Sequence, residues 1–248
     1  MKLNKIKPKF IDKGNPRIGL ITLGSDFRIE KDFNNVIYGK NIDLFVNRIH
    51  CYNPLTNETL AKMADDITDV VKEILPGEKL DCVAYGCTSG TVAAGYQVIK
   101  KKVNLAKPEA KVTTPITSAI KILKKMNIKN ISVFTPYTES INQSVTEYFK
   151  EAGVNVKTLH YFDIASDIDI GKIDSNYLLE VLSNLNLDES EALFISCTAL
   201  PALDLIDQLE KKFNKVILSS NQTLIWEALN LIGNKELVKG YGKIFEVI

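Results

Sequence analysis

The chain has 248 residues, 25% charged and 45% hydrophobic, and its 31 lysines and arginines against 30 aspartates and glutamates give a formal charge of +1. This length allows one large domain or two small ones, and the balance excludes an acidic disordered chain and a generally basic nucleic-acid binder. Only Arg17, Arg28 and Arg48 are arginines, so no guanidinium cluster is present to grip phosphates in pairs.

Residues 1–17 are basic but hold no apolar stretch, so no secretory signal is expected there. Nowhere do 18 apolar residues run together as a membrane span would need. Residues 18–23 form the first short, branched apolar run, which predicts a buried strand. The clearest helix is predicted over 57–75, where Leu60, Met63, Ile67, Val70, Val71 and Ile74 fall on one face. Thr56 is placed to cap it and Pro76-Gly77 to stop it. Further strands are predicted at 80–85, 131–134, 154–159, 193–195 and 216–218, and a last helix at 222–232. Strands alternating with helices predict an α/β fold with parallel sheets covered on both faces.

The pattern recurs. RIGLIT at 17–22 resembles NISVFT 113 positions later, and DCVAYGCT at 81–88 resembles EALFISCT at 191–198, with the two Cys-Thr pairs 110 positions apart. Two similar parallel-sheet halves follow; if they pair about a pseudo-two-fold, an active site can lie between them. The expected division is 1–115 with 222–248 as one half, the last helix returning to the first, and 116–221 as the other.

Cys87 and Cys197 stand at the carboxyl ends of their predicted strands, each ahead of a predicted helix. Open α/β sheets bind ligands at that edge, and the backbone N–H groups that open a helix cradle an anion there, here with the hydroxyls of Thr88, Ser89 and Thr198. The same field is expected to lower a thiol's pKa. Two sulfurs facing one pocket can work on opposite faces of a substrate, inverting a stereocentre or adding to a double bond and leaving, without a cofactor. The alternative is a pair of structural cysteines, since free cysteine is commonly buried. Cys82 is assigned to strand packing, and Cys51 has no support from pattern. With no CxxC pair and only His50 and His160 as histidines, no metal site is expected. With no sign of export, the thiols are expected reduced and the protein cytoplasmic.

GCTSGT, SCTALP and SSNQTLIWEAL resemble the maleate cis–trans isomerase and arylmalonate decarboxylase group of the aspartate/glutamate racemase superfamily. Within it, SDFRIEKDF, NPLTNETLAKM and ILPGEKLD are most similar to the ectoine-utilisation protein A branch. The resemblance implies Cys87 as the nucleophile that attacks a double bond and Cys197 as the second, proton-transferring cysteine. The decarboxylases keep only the second cysteine, which argues here against simple decarboxylation. It further implies that Thr88, Ser89, Tyr137, Thr198 and Ala199 hold a substrate carboxylate, that the partner is a small carboxylate rather than nucleic acid or membrane, and that the chain forms a homo-dimer or tetramer. A decarboxylase or a non-catalytic binder of a small zwitterion are the other classes the sequence leaves open. Two positions depart from the maleate isomerases, which have asparagine where this chain has Asp26 and near Asp167. A carboxylate cannot donate to a carboxylate and repels it, so an amino-acid or ectoine-like zwitterion is the expected substrate. Asp26 is equally well placed to cap the helix that holds Phe33 and Val36.

Overall fold

In the computed structural model, which describes residues 1, 3–11 and 14–246, the apolar runs build two four-stranded sheets. The first comprises β1 (Arg17–Leu23), β2 (Asp43–Ile49), β3 (Cys82–Gly86) and β4 (Lys111–Thr113), ordered β2-β1-β3-β4. The second comprises β5 (Asn130–Thr135), β6 (Asn155–Tyr161), β7 (Ala192–Ile195) and β8 (Val216–Ser219), ordered β6-β5-β7-β8. Every pairing among the described residues is parallel. The two orders are the same, so the sequence echo is a structural repeat. RIGLIT lies in β1 and NISVFT is β5, while the Cys-Thr pairs follow β3 and β7.

The covering helices are α1 (Ile29–Ile37), α2 (Asn57–Lys62), α3 (Ile67–Lys72), α4 (Thr88–Ala94), α5 (Tyr96–Ala106), α6 (Pro115–Lys125), α7 (Glu139–Glu151), α8 (Asp167–Gly171), α9 (Ser175–Ser183), α10 (Ile206–Phe213) and α11 (Ser220–Leu231). Among the described residues no helix is long and apolar enough to cross a membrane. The inner strands β1, β3, β5 and β7 are buried almost throughout, because continuous apolar runs suit strands covered on both faces.

Three local features differ from the sequence expectation. β2 was not predicted: it is an edge strand, and Asp43, Asn47 and Arg48 interrupt its apolar residues. β4 is only three residues long. The helix expected over 57–75 is broken into α2, a 3₁₀ turn at Met63–Asp66, and α3. Its apolar stripe nevertheless stays inside, with Leu60, Met63, Ile67, Val71 and Ile74 buried. Thr56 caps α2 in a reciprocal box with Thr59: Thr56 Oγ1 accepts the Thr59 N–H at 3.2 Å, and Thr59 Oγ1 accepts the Thr56 N–H at 2.8 Å.

The helix α11 positions the site. It is buried along nearly its whole length and packs on α1, α6, β3 and β4 of the first sheet's side and on β8 of the second. Its start is fixed by a buried capping box, in which Ser219 Oγ accepts the Gln222 N–H at 3.3 Å and Gln222 Oε1 accepts the Ser219 N–H at 3.1 Å. Ser219→Ala removes one arm of that box inside the core. The expected loss of stability is about 1–2 kcal/mol, measured by urea denaturation, with the slope unchanged.

Candidate active site

The carboxyl ends of the four inner strands converge. β1 delivers Ser25 and Asp26, β3 delivers Cys87, β5 delivers Tyr137, and β7 delivers Ser196 and Cys197. Corresponding strands of the repeat thus supply corresponding groups. Asp26, Thr88, Ser89, Tyr137, Asp167, Thr198 and Ala199, named from sequence, are all buried here. Cys87 is 3% and Cys197 6% exposed, so the site is closed over both sulfurs.

Cys87 forms the N-cap of α4, as the strand–helix pattern predicts. Its Sγ accepts the Gly90 N–H at 3.2 Å and lies 3.9 Å from Ser89 Oγ. Cys197 departs from expectation. A turn follows it, then a 3₁₀ segment at Leu203–Leu205, and α10 begins only at Ile206. Pro201 explains this: it lacks the N–H that a helix opening at Thr198 would use, and it pushes Leu200 away from helical angles. Cys197 itself takes a left-handed φ of 102°. Its N–H donates to Ser220 Oγ at 3.0 Å, and that hydroxyl is also 2.7 Å from Thr88 Oγ1. One side chain at the start of α11 therefore joins both cysteine turns. Next to it, Asn221 Nδ2 donates to the Thr198 carbonyl at 2.9 Å and to Asp32 Oδ2 at 2.7 Å. The Thr198 hydroxyl donates to the Gly86 carbonyl at 3.4 Å, and the Ser196 hydroxyl to Tyr137 Oη at 3.4 Å.

The roof is built from loops of both halves. The Leu55 N–H donates to the Ala165 carbonyl at 2.8 Å, the Asp167 N–H to Asn53 Oδ1 at 3.4 Å, and the Ser25 hydroxyl to Asp167 Oδ2 at 2.5 Å. Asp26 takes the capping role. Its Oδ1 accepts the N–H groups of Arg28 at 2.7 Å and Ile29 at 3.1 Å, capping α1, while its Oδ2 is buried without a hydrogen-bond partner.

Burial governs the electrostatics. It pushes the Cys87 thiol up to about 12, against the pull of the Gly90 N–H, and the Asp167 and Cys51 charges push the same way. Burial, then the Asp167 and Asp26 carboxylates, also holds Cys197 well above the ordinary thiol range, against the Ala199 N–H and the Tyr137 hydroxyl. The depressed thiol expected from the helix N-terminus is thus corrected: the N–H is present, but desolvation outweighs it. The carboxyls shift the same way. Burial raises Asp26 against the Arg28 and Ile29 N–H groups, the Thr198 hydroxyl and the Arg48 charge, and raises Asp167 to about 6 against the Ser25 hydroxyl.

Sequence reasoning missed Ser25, Asp32, Ser220 and Asn221, whose roles come from contacts distant along the chain. It also set aside Cys51. This half-buried thiol follows β2 and is raised to about 11, first by burial and then by Asp167 and Asp26, with the Ser25 hydroxyl opposing. Among the described residues no group of three His, Cys, Asp or Glu is arranged to hold a metal ion. Cys82 lies fully buried inside β3, as assigned.

The arylmalonate decarboxylase family model matches residues 51–245. The maleate isomerase of Alcaligenes faecalis is 22% identical over 241 residues, covering 92% of this chain and 95% of that protein. Among solved structures, a Nocardia farcinica maleate cis–trans isomerase variant with a covalently bound succinylcysteine intermediate superposes with a TM-score of 0.86 at 19% identity, covering 95% of this chain and all of that one. Unliganded arylmalonate decarboxylase superposes with a TM-score of 0.71 at 18% identity, covering 94% of this chain and all of that one. The fold of two four-stranded parallel sheets is thus shared with both solved structures, and the chain belongs to the arylmalonate decarboxylase family.

Proposed function

We propose that the protein is a cofactor-independent isomerase of a small carboxylate that also carries a cationic group, of the amino-acid or ectoine type. The observation that carries the two-thiol part is the placement of Cys87 and Cys197 under one roof and within the field of one carboxylate, Asp167. In the cis–trans reaction Cys87, as thiolate, forms a carbon–sulfur bond at one end of the double bond. The Cys197 thiol gives its proton to the other carbon, the resulting single bond rotates, and the Cys197 thiolate takes a proton back as Cys87 leaves. Racemisation uses the same pair on a carbon next to the carboxyl, one thiolate removing a proton and the other thiol returning one. The presence of Cys87 beside Cys197 favours either over decarboxylation. Thr88, Ser89, Tyr137, Thr198 and the Ala199 N–H surround the place where carboxylate charge grows in the transition state.

The cation is argued from Asp26 and Asp167. Both resting thiols are held protonated partly by carboxylate charge. A dianion such as maleate adds to that field, at a cost of about 4 kcal/mol per like pair at ~4 Å and an effective dielectric of ~20. An ammonium or amidinium does the reverse. It satisfies the unpartnered Asp26 Oδ2, cancels the field and lets a thiol ionise. The resemblance read from SDFRIEKDF, NPLTNETLAKM and ILPGEKLD favours the same choice.

Proton NMR in heavy water tests the reaction, with the reduced protein and maleate, both enantiomers of aspartate and glutamate, ectoine and hydroxyectoine. New geometric isomer, or deuterium beside a carboxyl, is expected for a zwitterion. Cys87→Ala and Cys197→Ala should each lower turnover by about three orders of magnitude or more with the fold intact. Near-normal rates in both single variants would refute the two-thiol scheme.

The pH profile tests the charge argument. Asp167 is ionised above about 6 and neutral below it. Turnover of a cationic substrate should therefore fall as pH drops through 6, while any maleate turnover should rise. Asp26→Asn should raise KM for the zwitterion about tenfold or more. If that variant keeps its zwitterion binding and gains no maleate turnover, the charge argument fails.

A further inference from the structure

Tyr85 belongs to β3, two residues before Cys87, and is 1% exposed. Its hydroxyl is buried without a hydrogen-bond partner. Leaving a phenol unpaired in a core is costly, and phenylalanine would fill the same space without that cost. The surroundings of the oxygen supply a reason to keep it. A Cβ built on Gly90 would lie 2.8 Å from Cys87 Sγ and 2.8 Å from Tyr85 Oη. The sulfur and the hydroxyl thus both press against Gly90, an approach that any side chain at residue 90 would block. Gly90 also gives that sulfur its direct backbone donor.

We propose that Tyr85 is a catalytic residue whose hydroxyl donates to Cys87 Sγ once the thiol has ionised. A neutral thiol is a weak acceptor, so the phenol beside it makes no well-formed hydrogen bond in the resting protein; a thiolate is a strong one. Both groups close in on the same side of Gly90, so the hydroxyl lies near the sulfur and the thiolate gains a second donor besides the Gly90 N–H. Burial and the charge on Cys87 hold Tyr85 far above its ordinary range, so it stays a donor and does not compete for the thiol's proton. The same contact stabilises Cys87 as a leaving group when the adduct breaks down. This deepens the isomerase reading and rests on Cys87 being its nucleophile.

The test is Tyr85→Phe, followed by three readouts. Melting temperature should stay level or rise, since an unpaired hydroxyl is removed from the core. Alkylation of Cys87 by iodoacetamide, resolved from Cys51, Cys82 and Cys197 by peptide mass, should slow about tenfold or more at pH 8, with its inflection moved to higher pH. On any substrate turned over, kcat should fall by a similar factor with KM nearly unchanged. An alkylation rate and inflection equal to wild type would overturn the proposal, and a lower melting temperature with that same profile would make Tyr85 structural. Alkylation needs no substrate, so failure to find turnover would defeat the isomerase reading without deciding this one.

Discussion

A single hydroxyl, that of Ser220, holds the two cysteine turns in one arrangement. It accepts the Cys197 N–H and shares a hydrogen bond with Thr88, the residue after Cys87. All of these groups are buried, so breaking either bond leaves a polar atom unpaired, at about 1–3 kcal/mol. Asn221 adds the Thr198 carbonyl and the Asp32 carboxylate to the same cluster. The relative position of two thiols 110 residues apart in sequence is thereby set by the first turn of one helix, which explains why α11 is so deeply packed and so firmly capped.

Enclosure makes the rest of the site a matter of charge. Water excluded by the roof no longer supports ionised groups, so burial drives Asp26, Asp167, Cys87 and Cys197 all toward their protonated forms. Asp32, behind the site, follows the same trend to about 7, with the neighbouring charges of Asp204 and Asp26 adding to desolvation and the Asn221 amide opposing it. A resting site of this kind is chemically quiet. Under the proposed function, the substrate's own charges complete it: a cation against the aspartates frees a thiol to ionise, and a carboxylate takes the hydroxyls and N–H groups. Selectivity and activation then arise from the same contact, because a ligand of the wrong charge strengthens the field that keeps the nucleophile silent.

What was legible in the sequence is what local pattern controls. Buried parallel strands are continuous apolar runs, so six of the strands stood out, and the repeat showed that they form two equivalent sets. Strand-end position exposed Cys87 and Cys197, while Asp26 and Tyr137 came from the family resemblance. Edge strand β2 was hidden because one of its faces is less covered and its pattern mixes polar with apolar residues. Ser220 and Asn221 looked like ordinary helix-start residues, and Asp32 like an ordinary polar residue on α1. Their partners lie 23 to 189 positions away, where no periodicity can point. Cys51 was dismissed for the same reason: only the fold brings the end of β2 beside Asp167.

The repeat also breaks where chemistry needs it to. Both halves place a thiol at the end of their third strand, but only the first continues into a helix there. Cys87 therefore meets the Gly90 N–H at 3.2 Å, with Ser89 nearby, as a stabilised thiolate requires. Cys197, denied a helix by Pro201, sits on a left-handed turn with the Tyr137 hydroxyl and the Ala199 N–H as its neighbours and two carboxylates raising it further. A thiol so held favours keeping its proton until an adjacent carbanion calls for it. In the proposed reaction the division of labour between nucleophile and proton donor thus rests on one proline, which gives two equivalent strand ends different backbone turns around their thiols.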